Sequence, residues 1–108
     1  MSRNKGPSTE ESAALHADAY QYQQGEFYPE HHRANVQRLR EKYPTFSQSE
    51  IDGIYRQACH IDFEIRQRVG AAQLSEQARE ELLEWLEDNF YGFSRQTFVL
   101  AVDRAEGK

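Results

Sequence analysis

The chain has 108 residues and a formal net charge of −5 at pH 7. That length suits one domain, with a core large enough to need neither disulfides nor a structural metal. The single Cys59 excludes an internal disulfide and any multi-cysteine zinc site, and the acidic balance lacks the basic footprint usual for nucleic-acid binding.

The first nine residues are polar and rich in punctuating types, as in a mobile terminus. They contain no apolar signal-peptide core, and no later run is long enough to span a bilayer. A soluble, cytoplasmic protein with no membrane partner is the expectation. Residues 10–24 can form a helix capped by Ser8 or Thr9, with a thin apolar face of Ala13, Ala17 and Tyr20. Gly25 and Pro29 break the next segment, where Phe27 and Tyr28 read as anchors onto the core. Residues 1–29 are therefore read as an N-terminal arm with aromatic anchors, and 30–108 as a helical bundle domain.

From Glu30 onward the apolar residues recur at helical period. A helix over 30–42 places Val36, Leu39 and Tyr43 on one face, and Pro44 stops it. A long helix over 48–69 carries Ile51, Ile54, Tyr55, Ala58, Ile61, Ile65 and Val69, with Gly70 as its stop. A third over 76–89 turns Ala78, Leu82, Leu83, Trp85, Leu86 and Phe90 inward. The fourth, over 95–105, contains the strand-like TFVLAV. The serine before it and DRAE after it favour helix, and no second strand is present to pair with it. The fold class is all-α: a small bundle of four main helices, with an arm that adds a short helix at most.

One pattern is written twice. YPTFSQSEIDGIYRQA (43–58) and FYGFSRQTFVLAVDRA (90–105) align Phe46 with Phe93 and Ser47 with Ser94. Both serines stand where N-caps belong, and Ser47-x-x-Glu50 is a capping box. Phe46 with Ile51, and Phe93 with Phe98, have hydrophobic-staple spacing. Leu74-Ser75 is a looser third version. Helix starts alone account for the echo, although an ancient helix-hairpin duplication would leave the same trace.

Catalytic and metal signatures are absent from the sequence: no HExxH, no phosphate-binding glycine loop, no GxSxG and no spaced Cys/His set. His31 and His32 are adjacent and diverge on a helix. His60 and Glu64 lie at i, i+4 but face solvent. Cys59 borders the apolar arc as a small core residue. No catalysis and no cofactor are expected.

Four surface or core features remain. Asp62 falls about 20° from Ile51 on a helical wheel, inside the apolar arc. A buried carboxylate needs a partner, and Arg79 is the expected one, with Arg40 or Tyr55 behind it. Glu76, Glu80, Glu84 and Asp88 form an acidic column at i+4 spacing, where like charges repel. The column is a solvated face or a docking stripe for a basic partner. Arg33, Arg38, Arg40 and Lys42 make the helix over 30–42 a candidate basic face. Phe63, Val99 and Leu100 are apolar residues left off the core stripes, a candidate interface that the arm or a second chain covers.

The reading that follows is a small acidic helical protein working through protein contacts, as adaptor, inhibitor or regulatory subunit, and a possible homodimer. One alternative is a nucleic-acid-associated regulator using the basic helix, although the charge makes nucleic acid an unlikely partner. Another is a small-molecule binder or enzyme with a pocket around Asp62.

Overall fold

The computed structural model describes residues 9–23, 29–69 and 74–107. Among these residues there are five helices and no strand: α1 (Thr9–Gln23), α2 (Pro29–Lys42), α3 (Gln48–Val69), α4 (Glu76–Asn89) and α5 (Arg95–Ala105). The all-α class holds. The count of four main helices is corrected to five, because α1 is a full 15-residue element of the core. The proposed cap Ser8, the anchors Phe27 and Tyr28, and the stop Gly70 lie outside the described residues.

The α1 face also differs from expectation. Ala13 and Ala17 face solvent, whereas Leu15, Ala19, Tyr20 and Gln23 are buried. Leu15 is the one large aliphatic residue in α1, and two alanine methyls bury far less apolar area than one Leu side chain. The helix rolls until Leu15 is inside.

Helix α3 is the spine of the fold. Helices α1, α2 and α5 all pack on it, α1 also touches α2, and α4 packs chiefly on α5. Its Ile51, Ile61 and Ile65 are fully buried, and each contributes on the order of 1.5–3 kcal/mol by leaving water. Ile61→Ala would cost about 2–5 kcal/mol through lost transfer energy and the cavity left behind.

The helix starts are built as the repeated pattern implies. Ser47 Oγ accepts from the Glu50 amide at 3.0 Å, and Glu50 Oε1 accepts from the Ser47 amide at 2.8 Å. Ser75 and Ser94 cap α4 and α5, accepting from the amides of Ala78 and Thr97. Behind the last cap, the Phe93 and Phe98 rings lie 6.3 Å apart.

The α4–α5 turn uses Gly92 at φ +92°, in the left-handed region. A second constraint acts there. The imidazole of buried His16 lies so close that any Cβ on residue 92 would collide with it. His16 Nδ1 donates to the Ser12 carbonyl at 2.6 Å, and its ring meets Phe93 edge-on at 4.8 Å. One histidine therefore docks this turn onto α1.

Candidate interaction surface

Asp62 is buried, as its place in the apolar arc requires, but Arg79 is not its partner. Tyr20 donates its hydroxyl hydrogen bond to Asp62 Oδ1 at 2.6 Å, and Gln23 Nε2 donates to Oδ2 at 3.2 Å. Arg104 of α5 stands 3.6 Å from Oδ2 and also donates to the Tyr20 hydroxyl at 2.9 Å. The carboxylate thus ties α3 to α1 and α5. Burial, then the Asp62 hydrogen bond and charge, push the Tyr20 hydroxyl well above the ordinary tyrosine range.

Arg79 turns instead to the end of α5. It reaches Asp103 at 2.6 Å and Glu106 at 2.7 Å. The Glu106 side chain is 1 % exposed and also accepts from the Leu74 amide. The fallback partners are engaged elsewhere: Arg40 is exposed beside Gln37, and the Tyr55 hydroxyl accepts from Asn35. Tyr20 is inside as its place on the expected apolar face implies; anchoring the α1 phase on Leu15 would have added Gln23 and offered both to Asp62.

A polar depression of about 90 Å³ lies over this network, lined by Asp62, Arg66, Ala101, Arg104 and Ala105. Small-molecule sites usually span about 300–1,000 Å³, so the depression holds a few waters at most.

Half of the basic face of α2 is engaged by its own chain. Lys42 pairs with Asp18 at 2.7 Å, which raises its pKa, and the Tyr43 hydroxyl donates to the same carboxylate. Arg38 lies over the Tyr22 ring at 4.4 Å. Arg33 and Arg40 project into solvent.

The acidic column is exposed along its length: Glu76, Glu80, Glu84 and Asp88 all face solvent. Arg95 of α5 binds Glu80 together with Glu87. Among the described residues, Glu76, Glu84 and Asp88 have no cation beside them. Six carboxylates against Arg79 leave α4 with a net charge of −5, equal to that of the whole chain.

Phe63 is 54 % exposed and Leu100 is 45 % exposed, while Val99 is half-buried. Phe63 belongs to a larger aromatic belt. His60 meets its ring edge-on at 5.9 Å and approaches Phe90 at 6.3 Å; Phe90 meets Trp85 at 6.1 Å. The Arg68 guanidinium covers Trp85 at 3.7 Å. The belt crosses from α3 to α4. Val99 and Leu100, on α5, are not part of it, and Tyr91, 81 % exposed in the α4–α5 turn, carries no sequence pattern that marks it.

Shallow grooves flank the belt. One, of about 440 Å³, is lined by His32, Arg56, Cys59, His60 and Phe63. Its charges are balanced locally: Asp52 pairs with Arg56 at 2.6 Å and with His32 at 3.1 Å, and His60 lies 3.4 Å from Glu64. The Arg56 and His32 contacts hold Asp52 below the usual carboxylate range. The other groove, of about 270 Å³, is lined by Arg68, Leu74, Ala78, Glu81, Leu82 and Trp85.

The Cys59 thiol is pushed up to about 11, by burial first and then by the Asp62 charge. At neutral pH it is a protonated thiol without nucleophilic character. No group of three or more His, Cys, Asp or Glu residues is placed to hold a metal ion, and no helix is long and apolar enough to cross a membrane, both among the described residues. No known family model, curated protein or solved structure matches the chain.

Proposed function

We propose that this protein acts by binding another protein through the α3–α4 face, as an adaptor, inhibitor or regulatory subunit and without catalysis. The observation that carries the reading is the belt Phe63–His60–Phe90–Trp85–Arg68 between two shallow grooves, exposed at Phe63, His60 and Arg68, half-buried at Trp85 and rooted in the core through buried Phe90. Aromatic rings and arginine are the residue types that dominate binding energy at protein interfaces. Half-exposed Phe63 has little to do for the core, so its exposure asks for another use.

The other readings have weaker support. Nucleic-acid binding through α2 would fall to Arg33 and Arg40, because Lys42 pairs with Asp18 and Arg38 lies over Tyr22. A ligand pocket at Asp62 would need more room than about 90 Å³.

The test is retention from a lysate of the source cells by the immobilised parent, beside Phe63→Ser and Trp85→Ser variants of unchanged melting temperature. A protein held by the parent and lost with both variants is the expected result. Equal retention by all three would remove the belt from the reading. A homodimer through Val99 and Leu100 is a second form of the proposal. Sedimentation at micromolar concentration, beside a Leu100→Glu variant, tests it, and a monomeric parent discards it.

A further inference from the structure

Resting on that reading, the geometry points to the partner's chemistry: a basic amphipathic helix from a different protein, laid with its apolar face in the Trp85 groove. The floor of that groove is Leu74, Ala78, Leu82 and Trp85. Ala78, Leu82 and Trp85 step along α4 at intervals of four and three, so the apolar strip follows the helix axis, with Leu74 just ahead of the Ser75 cap. From Ala78 to Trp85 it runs about 10 Å at the α-helical rise, which is roughly two turns of a helix lying alongside, and Leu74 extends it at one end. Apolar strips of this form receive helices through i, i+3, i+4 anchors.

The rim decides the sign of the partner. Glu81 lines the groove, and Glu84 and Asp88 continue its edge at i+3 and i+7. All three are exposed, and among the described residues none has a cation beside it. Asp88 also stands in the last turn of α4, where the helix dipole disfavours negative charge. A row of lysines or arginines on the visiting helix would relieve both penalties. The opposite rim is Arg68, paired with Glu64 and lying over Trp85. The visitor's flank on that side is therefore polar or acidic, which fixes its rotation about its own axis.

Among the described residues, a second copy of this chain supplies no such helix. The basic helix is α2, and its apolar residues Val36, Leu39 and Tyr43 are all buried in its own core. With no apolar face to offer, α2 cannot fill the groove without unfolding. The occupant is another protein.

Trp85 is the only tryptophan in the chain, so its emission reports occupancy directly. The probe is a synthetic 18-residue amphipathic peptide with a leucine–alanine face and a lysine–arginine face. Its controls are a scrambled peptide of the same composition and a peptide with glutamate in place of every cation. The expected result is a saturable shift of Trp85 emission with the basic amphipathic peptide alone, weakened by salt. A Glu81→Lys/Glu84→Lys/Asp88→Lys variant should lose affinity by at least about tenfold through rim repulsion. Ala78→Phe, which fills the half-exposed groove with a neutral side chain and leaves the rim charges in place, should abolish the shift. Circular dichroism confirms that the variants fold.

Three outcomes would each overturn the inference: equal binding by the scrambled peptide, undiminished affinity in the charge-reversed variant, or an unchanged Trp85 signal at millimolar peptide. If the peptide fails while lysate retention still depends on Phe63 and Trp85, only the partner's chemistry is wrong. If that dependence also vanishes, the interaction reading itself falls.

Discussion

Tyr20 and Asp62, 42 residues apart, share a 2.6 Å hydrogen bond with both side chains inside the protein. Tyr20→Phe removes one donor from a buried carboxylate and should cost about 1–3 kcal/mol. Asp62→Ala should cost more, because it removes the acceptor of the Tyr20 hydroxyl and one of the two acceptors of the Gln23 amide, and leaves Arg104 without its carboxylate. In a double-mutant cycle the two changes should couple by about 0.5–3 kcal/mol. Arg79→Ala combined with Asp62→Ala should be additive within about 0.5 kcal/mol, since the two residues belong to separate networks. Urea unfolding of the variants measures all of this. Strong Asp62–Arg79 coupling would contradict the geometry.

Alkaline pH should loosen the fold through the same tyrosine. Its folded-state pKa is raised above the ordinary value of 10. Above that value the unfolded chain releases a proton that the folded chain keeps, so fewer protons are bound when unfolded. Stability is then fully present below about pH 10 and falls as pH rises beyond it. Tyr43, raised by burial and by its bond to Asp18, acts in the same direction. Tyrosinate absorbance of the folded protein should show both groups titrating late, and Tyr20→Phe should flatten the alkaline loss of stability.

Cys59 should resist alkylation. With its pKa pushed up to about 11, the thiolate fraction near neutrality is far below that of an ordinary cysteine. Iodoacetamide labelling of the folded protein at pH 7.5 should run at least about tenfold slower than in urea. Rapid labelling of the folded protein would show an unexpectedly acidic or freely open site.

Gly92→Ala should be costly for two separable reasons. The backbone at φ +92° disfavours any side chain, at about 1 kcal/mol or more. The added methyl also strikes the His16 ring, and such overpacking costs about 1–3 kcal/mol. In a His16→Ala background the second cost should disappear and the first remain. Thermal melts of the four proteins give the cycle, and identical costs in both backgrounds would mean that the ring moves aside freely.

The sequence carried four of the helices to their ends, because those ends are written in local chemistry. Ser47, Ser75 and Ser94 cap three of them, and Pro44 follows the close of another. The burial of Asp62 was equally legible, since seven apolar neighbours on α3 fix its phase. Its partners were not. Tyr20 and Arg104 come from the first and last helices, and only tertiary packing brings them together. Helix α1 misled because alanines at 13 and 17 make a regular pattern with almost no apolar area, while Leu15 sets the true face. The aromatic belt was half visible: Phe63 stood out as an outlier on α3, but its link through His60 and Phe90 to Trp85 depends on how α4 lies beside α3.

The way α4 is attached has a consequence for local opening. Helices α1, α2 and α5 all grip α3, whereas α4 leans chiefly on α5. It also bears the full net charge of the chain on one short cylinder. Amides in the middle of α3 should exchange with deuterium only when the whole molecule unfolds, and those of α4 through a smaller, cheaper opening. Added salt screens the carboxylates from one another over about 10 Å at 0.1 M, so it should slow exchange in α4 while leaving α3 nearly unchanged. A cationic visitor along the same edge would act as salt does, at one place and with much greater effect. Helix α4, the proposed docking element, is thus also the part of the fold with the most order to gain from a cationic partner.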